Sequence, residues 1–347
     1  MSTEKSSKSL VILGPTSSGK SSLAIDVAKQ WNGEIISADS RQVYRSMDIG
    51  SGKVPKDTLQ QTTDNEPQEI SGAALSAARC ELYVSEGVPH HLLDVADPND
   101  DYNISHFLRD ARAAIGDIAS RGKLPIVCGG TGFWIQALVE HQTLPNIPPD
   151  PSLREALSQK TPEELFEMLA RLDPKRTEII DQKNPRRLIR AIEIAKFKEQ
   201  DARSTEQKPP DPRSLIPTYC SLILALCPPK DILDAKIKAR LDARFAEGMI
   251  DEVAQLHENN ISWERLDAFG LEYRWISRFL RGIIDEQEMK ERLFFDSIHY
   301  AKRQMTWIRR WQKSNPTLHI VATKENALAL TEEFLKKEIC PKTLSGS

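Results

Sequence analysis

The sequence predicts an α/β protein: a parallel sheet flanked by helices, with an all-helical domain inserted into it. Three observations carry this. Short apolar runs alternate with stretches of helical spacing through the first part of the chain. Those runs end in Gly-rich, polar or acidic loops, as parallel strands do when their carboxyl ends share a ligand site. A charged, helix-patterned segment then sits between two Pro-rich stretches. The length, 347 residues, fits about two domains at roughly 150 residues each.

Leu10-Val-Ile-Leu13 is a short apolar run entering a Gly-rich turn, and Ser22–Lys29 places Leu23, Ala24, Val27 and Ala28 at helical spacing. Gly33–Ala38 reads as a second buried strand ending at Asp39. Ala111–Ile118 reads as a helix, and Leu124–Cys128 as a third strand running into Gly129-Gly-Thr-Gly132. These make the first part of the core, residues 9–143, with 54–86 as a surface insertion, polar at first and then Ala-rich. Leu144–Pro151 is a Pro-rich hinge. Leu153, Leu157, Leu165, Leu169, Ile179, Leu188 and Ile192 then repeat at helical spacing, and Ser204–Pro217 is a second Pro-rich linker, so 144–217 is the helical insertion. Tyr219–Leu226 returns as a strand of the first sheet. Ile237, Leu241, Phe245, Met249, Val253 and Leu256 mark one face of a long helix, and Met289, Leu293, Ile298, Met305 and Ile308 mark another. The second part of the core is therefore 218–325, followed by a tail over 326–347.

Hydrophobic residues make up 39% and charged residues 28%, an ordinary globular balance that excludes collagen and wholesale disorder. No apolar run approaches the roughly 18–20 residues of a membrane span, and the polar start lacks a signal-peptide core. A cytoplasmic protein with no membrane partner is expected. Five cysteines at irregular spacing read as free thiols, with no zinc pattern. The net charge of −3 does not announce nucleic acid, yet two runs contain no acid: Lys183–Arg190 and Ser297–Lys313, the latter with Lys302, Arg303, Arg309, Arg310 and Lys313. Each run is either a solvated face or an RNA grip. No sustained heptad pattern marks a dimer seam, so a monomer is expected.

Gly14-Pro-Thr-Ser-Ser-Gly-Lys-Ser21 matches G-x-x-x-x-G-K-[ST], between a strand and a helix as that motif requires, which makes the sheet P-loop NTPase-like. Its backbone N–H groups and helix N-terminus favour an anion, Lys20 adds a point charge, and Ser21 can ligate a Mg²⁺ that bridges phosphate oxygens. The motif does not say which phosphate. Asp39 fits a metal-holding acid, a general base or a helix N-cap. Gln42 has an amide that could read a base edge. Thr131 either offers a hydroxyl to a substrate or shapes a tight turn. His90 and His91, adjacent on an expected strand, point to opposite faces and make a poor metal pair.

Eight motifs occur in one order over roughly residues 10–311: Gly14–Ser21, Asp39–Tyr44, Met47–Gly50, Gly87–Leu92, Gly129–Gly132, Arg187–Ala191, Gly248–Val253 and Tyr300–Arg309. Together they resemble the tRNA dimethylallyltransferase (isopentenylpyrophosphate transferase) family. The resemblance implies an enzyme that moves a dimethylallyl group from dimethylallyl diphosphate to N6 of the adenosine 3′ of a tRNA anticodon, releasing diphosphate. It implies that the P-loop binds that diphosphate through Gly14, Pro15, Thr16, Ser17, Ser18, Gly19, Lys20 and Ser21, with Mg²⁺ at Ser21 and a further contact from Lys230, where many members carry arginine. It gives Asp39 the role of base, Lys20 that of leaving-group cation, and Thr131 a place beside the reacting amine. Contacts to the tRNA anticodon stem-loop fall on Asp39, Ser40, Arg41, Gln42, Thr131, Arg154, Arg186, Arg187, Arg190, Lys302, Arg303 and Gln304. Extruding the stacked target base costs a few kcal/mol, which explains an extensive RNA grip. Phe269–Arg274 and the long 54–86 insertion depart from the family pattern, and the absence of C-terminal zinc-finger spacing points to a bacterial-type member. The alternatives are an adenylate (AMP/ADP) isopentenyltransferase, a small-molecule kinase or ATPase, and a non-catalytic RNA-binding relative.

Overall fold

A computed structural model describes residues 8–57, 82–142, 147, 149–201 and 220–337. In chain order the elements are β1 (Lys8–Leu13), α1 (Lys20–Gln30), β2 (Gly33–Ser37), β3 (Tyr83–Ser85), β4 (Val88–His91), α2 (Ile104–Ser120), β5 (Leu124–Gly129) and α3 (Gly132–Val139). Then come α4 (Pro151–Ser158), α5 (Pro162–Leu172), α6 (Pro174–Thr177) and α7 (Pro185–Asp201). The chain continues through β6 (Cys220–Leu226), α8 (Lys230–Ala246), α9 (Met249–Glu258), α10 (Trp263–Phe269), α11 (Leu271–Leu280), α12 (Glu286–Ser314), β7 (Leu318–Val321) and α13 (Lys324–Lys336).

The seven strands form one sheet in the order β3-β4-β2-β5-β1-β6-β7. Every pairing is parallel except β3 against β4. The central strands are mostly apolar because both faces are covered, with Glu34 of β2 a buried exception. Leu10 and Ile12 of β1 share a core with Leu23, Ala24 and Val27 of α1 and with Ala327 of α13. Val11 and Leu13 alternate to the other face and are equally buried. The α/β class and the four strands expected from the sequence are present. Tyr83–Ser85, Val88–His91 and Leu318–Val321 add three more, each too short or too polar to stand out as an apolar run.

Several expectations are corrected. The single helix expected over Ile237–Leu256 is two, α8 and α9, separated at Glu247–Gly248. The stretch from 326 onward is not a tail as far as Lys336: it is most of α13, packed on the sheet, while 338–347 lie outside the described residues. The 54–86 insertion ends in β3, and the Asp57 carboxylate accepts the Glu86 and Gly87 N–H groups at 2.8 Å each, tying its two ends together. Residues 58–81 lie outside the described set, as do half of the Pro-rich hinge and the whole 204–217 linker. Cys128 and Cys227 are buried free thiols, but Cys220 is disulfide-bonded, against the reading of five thiols.

The chain divides into two compact units, one of residues 1–142 with 217–347 and one of residues 143–216. The second contains α4–α7 around Leu157, Leu165, Leu169, Leu188 and Ile192. Among the described residues no helix is long and apolar enough to cross a membrane.

Candidate active site

The P-loop leaves β1 at Leu13 and enters α1 at Lys20. Gly14 is needed for close approach, since a Cβ there would lie 2.5 Å from the Leu226 carbonyl oxygen. Ser17 (φ 60°) and Gly19 (φ 94°) are left-handed, the alternation that turns successive N–H groups toward one point and builds an anion-binding concavity. Lys20 folds back over the loop, its Nζ 3.4 Å from the Pro15 carbonyl oxygen. Burial lowers its pKa. The charges of Arg240 and Arg244 push the same way, and Cys128 and Asp39 oppose it. An ammonium desolvated among other cations gains more than an ordinary lysine from an arriving anion.

Two neighbouring loops leave the sheet at the same end. β5 lies between β1 and β2, so the Gly129–Gly132 turn stands between the P-loop and Asp39. Asp39 Oδ1 accepts the Arg41 N–H at 2.9 Å, an Asx turn rather than a helix cap. Among the described residues no donor bonds its other oxygen. Thr131 Oγ1 accepts the Ser40 N–H at 3.0 Å, and the Thr131 N–H reaches the Ala38 carbonyl at 3.2 Å. Thr131 is therefore both a turn former and a neighbour of Asp39. Arg41 donates from Nε to the Phe269 carbonyl at 2.8 Å and lies over the Phe269 ring. The base-reading role considered for Gln42 finds its amide already occupied: Nε2 donates to the Gly52 carbonyl at 3.1 Å, and Oε1 accepts from Ser37 Oγ at 3.2 Å. Gln42 holds the loop from inside.

The cations that accompany Lys20 come from α8, but not from its first residue. Lys230 is exposed and paired to Asp234 at 2.5 Å, one turn along the same helix, so it is not brought among the loop amides. Arg240 and Arg244, roughly three and four turns along the same helix from Lys230, are the ones within electrostatic reach of Lys20. Arg240 donates to the Gly52 carbonyl at 3.1 Å, and burial lowers its pKa to about 10, helped by Arg244. Arg244 is buried and bonds the Gly50 carbonyl and Glu272. The signal was in the sequence: two arginines four apart on a helix whose apolar face is Leu233, Ile237 and Leu241. Glu252 of α9 accepts the N–H groups of Asp48, Ile49 and Gly50 at 2.6–3.0 Å, which is why the Met47–Gly50 and Gly248–Val253 motifs occur together.

Beside these loops lies a cavity of about 310 Å³, lined by Gly14, Gly129–Gly132, Phe133, Tyr300, Arg303, Gln304, Trp307 and Ile308. Burial raises the Tyr300 pKa, with Asp39 adding to the rise. Gln304 is buried and bonds the loops themselves, accepting the Thr16 N–H at 2.8 Å and donating to the Gly130 carbonyl at 2.9 Å. Lys302 and Arg303 are exposed on the same helix. A larger cleft of about 590 Å³, around Trp275, Arg278 and Arg292, contains none of the loop residues.

In the helical unit, two of the four arginines expected to meet RNA have a structural partner. Arg154 grips Glu193 through two hydrogen bonds, at 2.6 and 2.9 Å, and Arg190 adds a third at 3.0 Å. Burial alone would raise the Glu193 pKa; Arg154 and Arg190 outweigh it and hold it low. Arg186 and Arg187 are exposed.

Among the described residues no three His, Cys, Asp or Glu side chains gather to hold a metal. His90 bonds the Val88 carbonyl and His91 bonds Glu34. The hydroxyl of Ser21 remains, beside the anion loop. A single hard oxygen donor next to phosphate oxygens is the donor set on which Mg²⁺ is commonly held.

A model of IPP transferases matches residues 72–311, and one of isopentenyl transferases matches residues 7–65. A tRNA dimethylallyltransferase of Geotalea uraniireducens is 34% identical over 96% of this chain and 98% of its own length. One of Trichlorobacter lovleyi is 38% identical over 89% and 90%. Among solved structures, the tRNA isopentenylpyrophosphate transferase of Bacillus halodurans superposes with a TM-score of 0.62 at 29% identity, covering 95% of this chain and 96% of that one. A eukaryotic dimethylallyltransferase captured acting on tRNA gives 0.71 at 26% identity, covering 97% and 83%. With a family model over more than half of its residues and relatives of this identity along nearly all of it, the chain belongs to the IPP transferase family, that of the tRNA dimethylallyltransferases.

Proposed function

We propose that the protein transfers the dimethylallyl group of dimethylallyl diphosphate to N6 of the adenosine 3′ of the anticodon in tRNA. The carrying observation is that the P-loop with Lys20, the Thr131 turn and Asp39 leave three neighbouring strands at one end, beside an aromatic-lined cavity. That end is where open parallel sheets bind ligands. The P-loop amides, Lys20 and Arg240 hold the diphosphate and neutralise the charge that grows as its bond to the prenyl carbon breaks. The Ser21 hydroxyl would hold a Mg²⁺ beside the loop, and that ion would supply further charge neutralisation. Adenine N6 is a poor nucleophile because its lone pair is delocalised into the ring. As the N6–C bond forms and the prenyl C–O bond breaks, the free oxygen of Asp39 takes the N6 proton and diphosphate leaves. Phe133, Tyr300 and Trp307 around the cavity suit an apolar chain and a flat base. Exposed Lys302 and Arg303, with Arg186 and Arg187 of the helical unit, hold RNA phosphates, as positioning contacts do. On this reading the enzyme is a cytoplasmic monomer.

Purified protein with Mg²⁺, labelled dimethylallyl diphosphate and unmodified tRNA, with AMP in a parallel tube, tests the proposal. Label is expected in RNA alone. Label in AMP would move the assignment to the adenylate enzymes, and label in neither would refute prenyl transfer.

A further inference from the structure

We propose that Gln304 is a positioning residue that fixes the distance between the diphosphate loop and the acceptor loop, and that it does not contact RNA as its neighbours Lys302 and Arg303 do. The inference rests on the transferase reading above.

Gln304 lies in the buried stripe of α12, with Ser297, Ala301, Ile308 and Trp311 at helical spacing. An amide in such a stripe is costly unless both of its ends are bonded. Here both are, and each goes to a different loop of the site: Thr16 N–H at 2.8 Å and Gly130 carbonyl at 2.9 Å. The fit at Gly130 is close, since a Cβ there would lie 2.8 Å from Gln304 Nε2 and 3.7 Å from Lys20 Nζ. The next residue, Thr131, accepts the Ser40 N–H, and Ser40 follows Asp39. The path Thr16–Gln304–Gly130–Thr131–Ser40 thus runs without a gap from the donor loop to the base. Only a side chain with one donor and one acceptor can bridge an N–H and a carbonyl in this way, and asparagine is a methylene shorter. Because Lys302 and Arg303 face solvent from the same helical turn, RNA held there and the spacing of the two loops share one rigid support.

The test compares Gln304→Leu, which loses both bonds, with Gln304→Glu, which keeps an acceptor for Thr16 and loses the donor to Gly130. A misplacement of about 1 Å costs on the order of 100-fold in rate. Gln304→Leu is therefore expected to lower kcat about 100-fold while the tRNA Kd and its salt dependence stay within about twofold of wild type. An RNA contact would behave oppositely, as Lys302→Ala should: a weaker Kd and a salt slope reduced by about 1. Hydrogen exchange at the Thr16 amide should be roughly tenfold faster in Gln304→Leu and unchanged in Gln304→Glu. Gln304→Glu should lose about tenfold in kcat. A weakened tRNA Kd with near-wild-type kcat at saturating tRNA overturns the proposal, as does unaltered Thr16 exchange in Gln304→Leu. Should Gln304→Leu fail to fold, wild-type kcat in Gln304→Glu overturns it. Wild-type protein that labels no tRNA would remove the transferase reading, whereas Thr16 exchange needs no substrate and still decides the brace.

Discussion

On the proposed reading Asp39 is the base, and its surroundings treat its two oxygens differently. One is fixed by the Arg41 N–H; no donor among the described residues bonds the other. Asp39→Asn keeps the size and the Asx turn but removes the proton acceptor. Prenyl transfer is expected to fall by about 10²–10⁴-fold, the usual worth of a positioned general base, with diphosphate binding retained. Turnover within tenfold of wild type would remove Asp39 as the base. Asp39 stood out as a candidate because it directly follows a buried strand near a P-loop, and the structure replaces its helix-cap reading with an Asx turn. Gln42, Arg154 and Arg190 were less legible. Their side chains looked free to meet RNA, and what occupies them lies elsewhere in the chain or on a buried neighbour: the Gly52 carbonyl for Gln42, and Glu193 for both arginines. Residue type and local charge do not reveal such partners.

Among the elements, α8 places its cations differently, and on the proposed reading its buried arginines serve the diphosphate. Its first residue, Lys230, spends its charge on Asp234, whereas Arg240 and Arg244 point inward. Arg240→Ala should reduce kcat by on the order of 10²–10³-fold, the usual cost of deleting a donor aimed at developing charge. Lys230→Ala removes an exposed i,i+4 pair worth about 0.3–0.5 kcal/mol and should leave steady-state rates within about twofold. The reverse ranking would return Lys230 to the diphosphate. The central strands were readable because burial on both faces gives each a short unbroken apolar run, such as Leu10–Leu13 in β1. β3, β4 and β7 were not: each spans three or four residues, and β4 contains a proline and two histidines. The division of α8 from α9 was missed because the apolar positions stay in register across Gly248.

Over the whole molecule, each compact unit is fastened by one buried carboxylate. In the helical unit it is Glu193; in the sheet unit it is Glu34, bonded by Arg121, Lys123 and His91 at 2.5–2.7 Å. Burial would raise the Glu34 pKa, but the bonds from Arg121, His91 and Lys123 outweigh it and hold the pKa well below the ordinary 4.5. A depressed folded-state pKa gives stability that is fully present above pH 4.5 and drains away as the pH falls below it. Glu34→Gln should cost about 2 kcal/mol at pH 7 in a urea melt, because it removes the charge that Arg121 and Lys123, each about one third exposed, are bonded to, and should lose far less than wild type between pH 5 and about 3. Equal acid sensitivity in the two proteins would show that Glu34 is not the fastening. At this scale the α/β class and the family were legible from alternating elements and ordered motifs, whereas the net charge of −3 gave no hint of RNA because 50 acidic residues offset 47 basic ones and hide the two acid-free runs. The sheet order has a consequence during synthesis. β1 is made first, yet one of its two neighbours, β6, follows only after the helical unit, and the Leu226 carbonyl that packs under Gly14 belongs to β6. At roughly 5–20 residues per second the nascent chain holds an apolar strand with an unpaired edge for on the order of ten seconds or more. The ribosome therefore releases the Gly14–Ser21 loop without its floor until about two thirds of the chain has been made, and a chain stalled before β6 would be a sticky intermediate and a substrate for chaperones rather than an early enzyme.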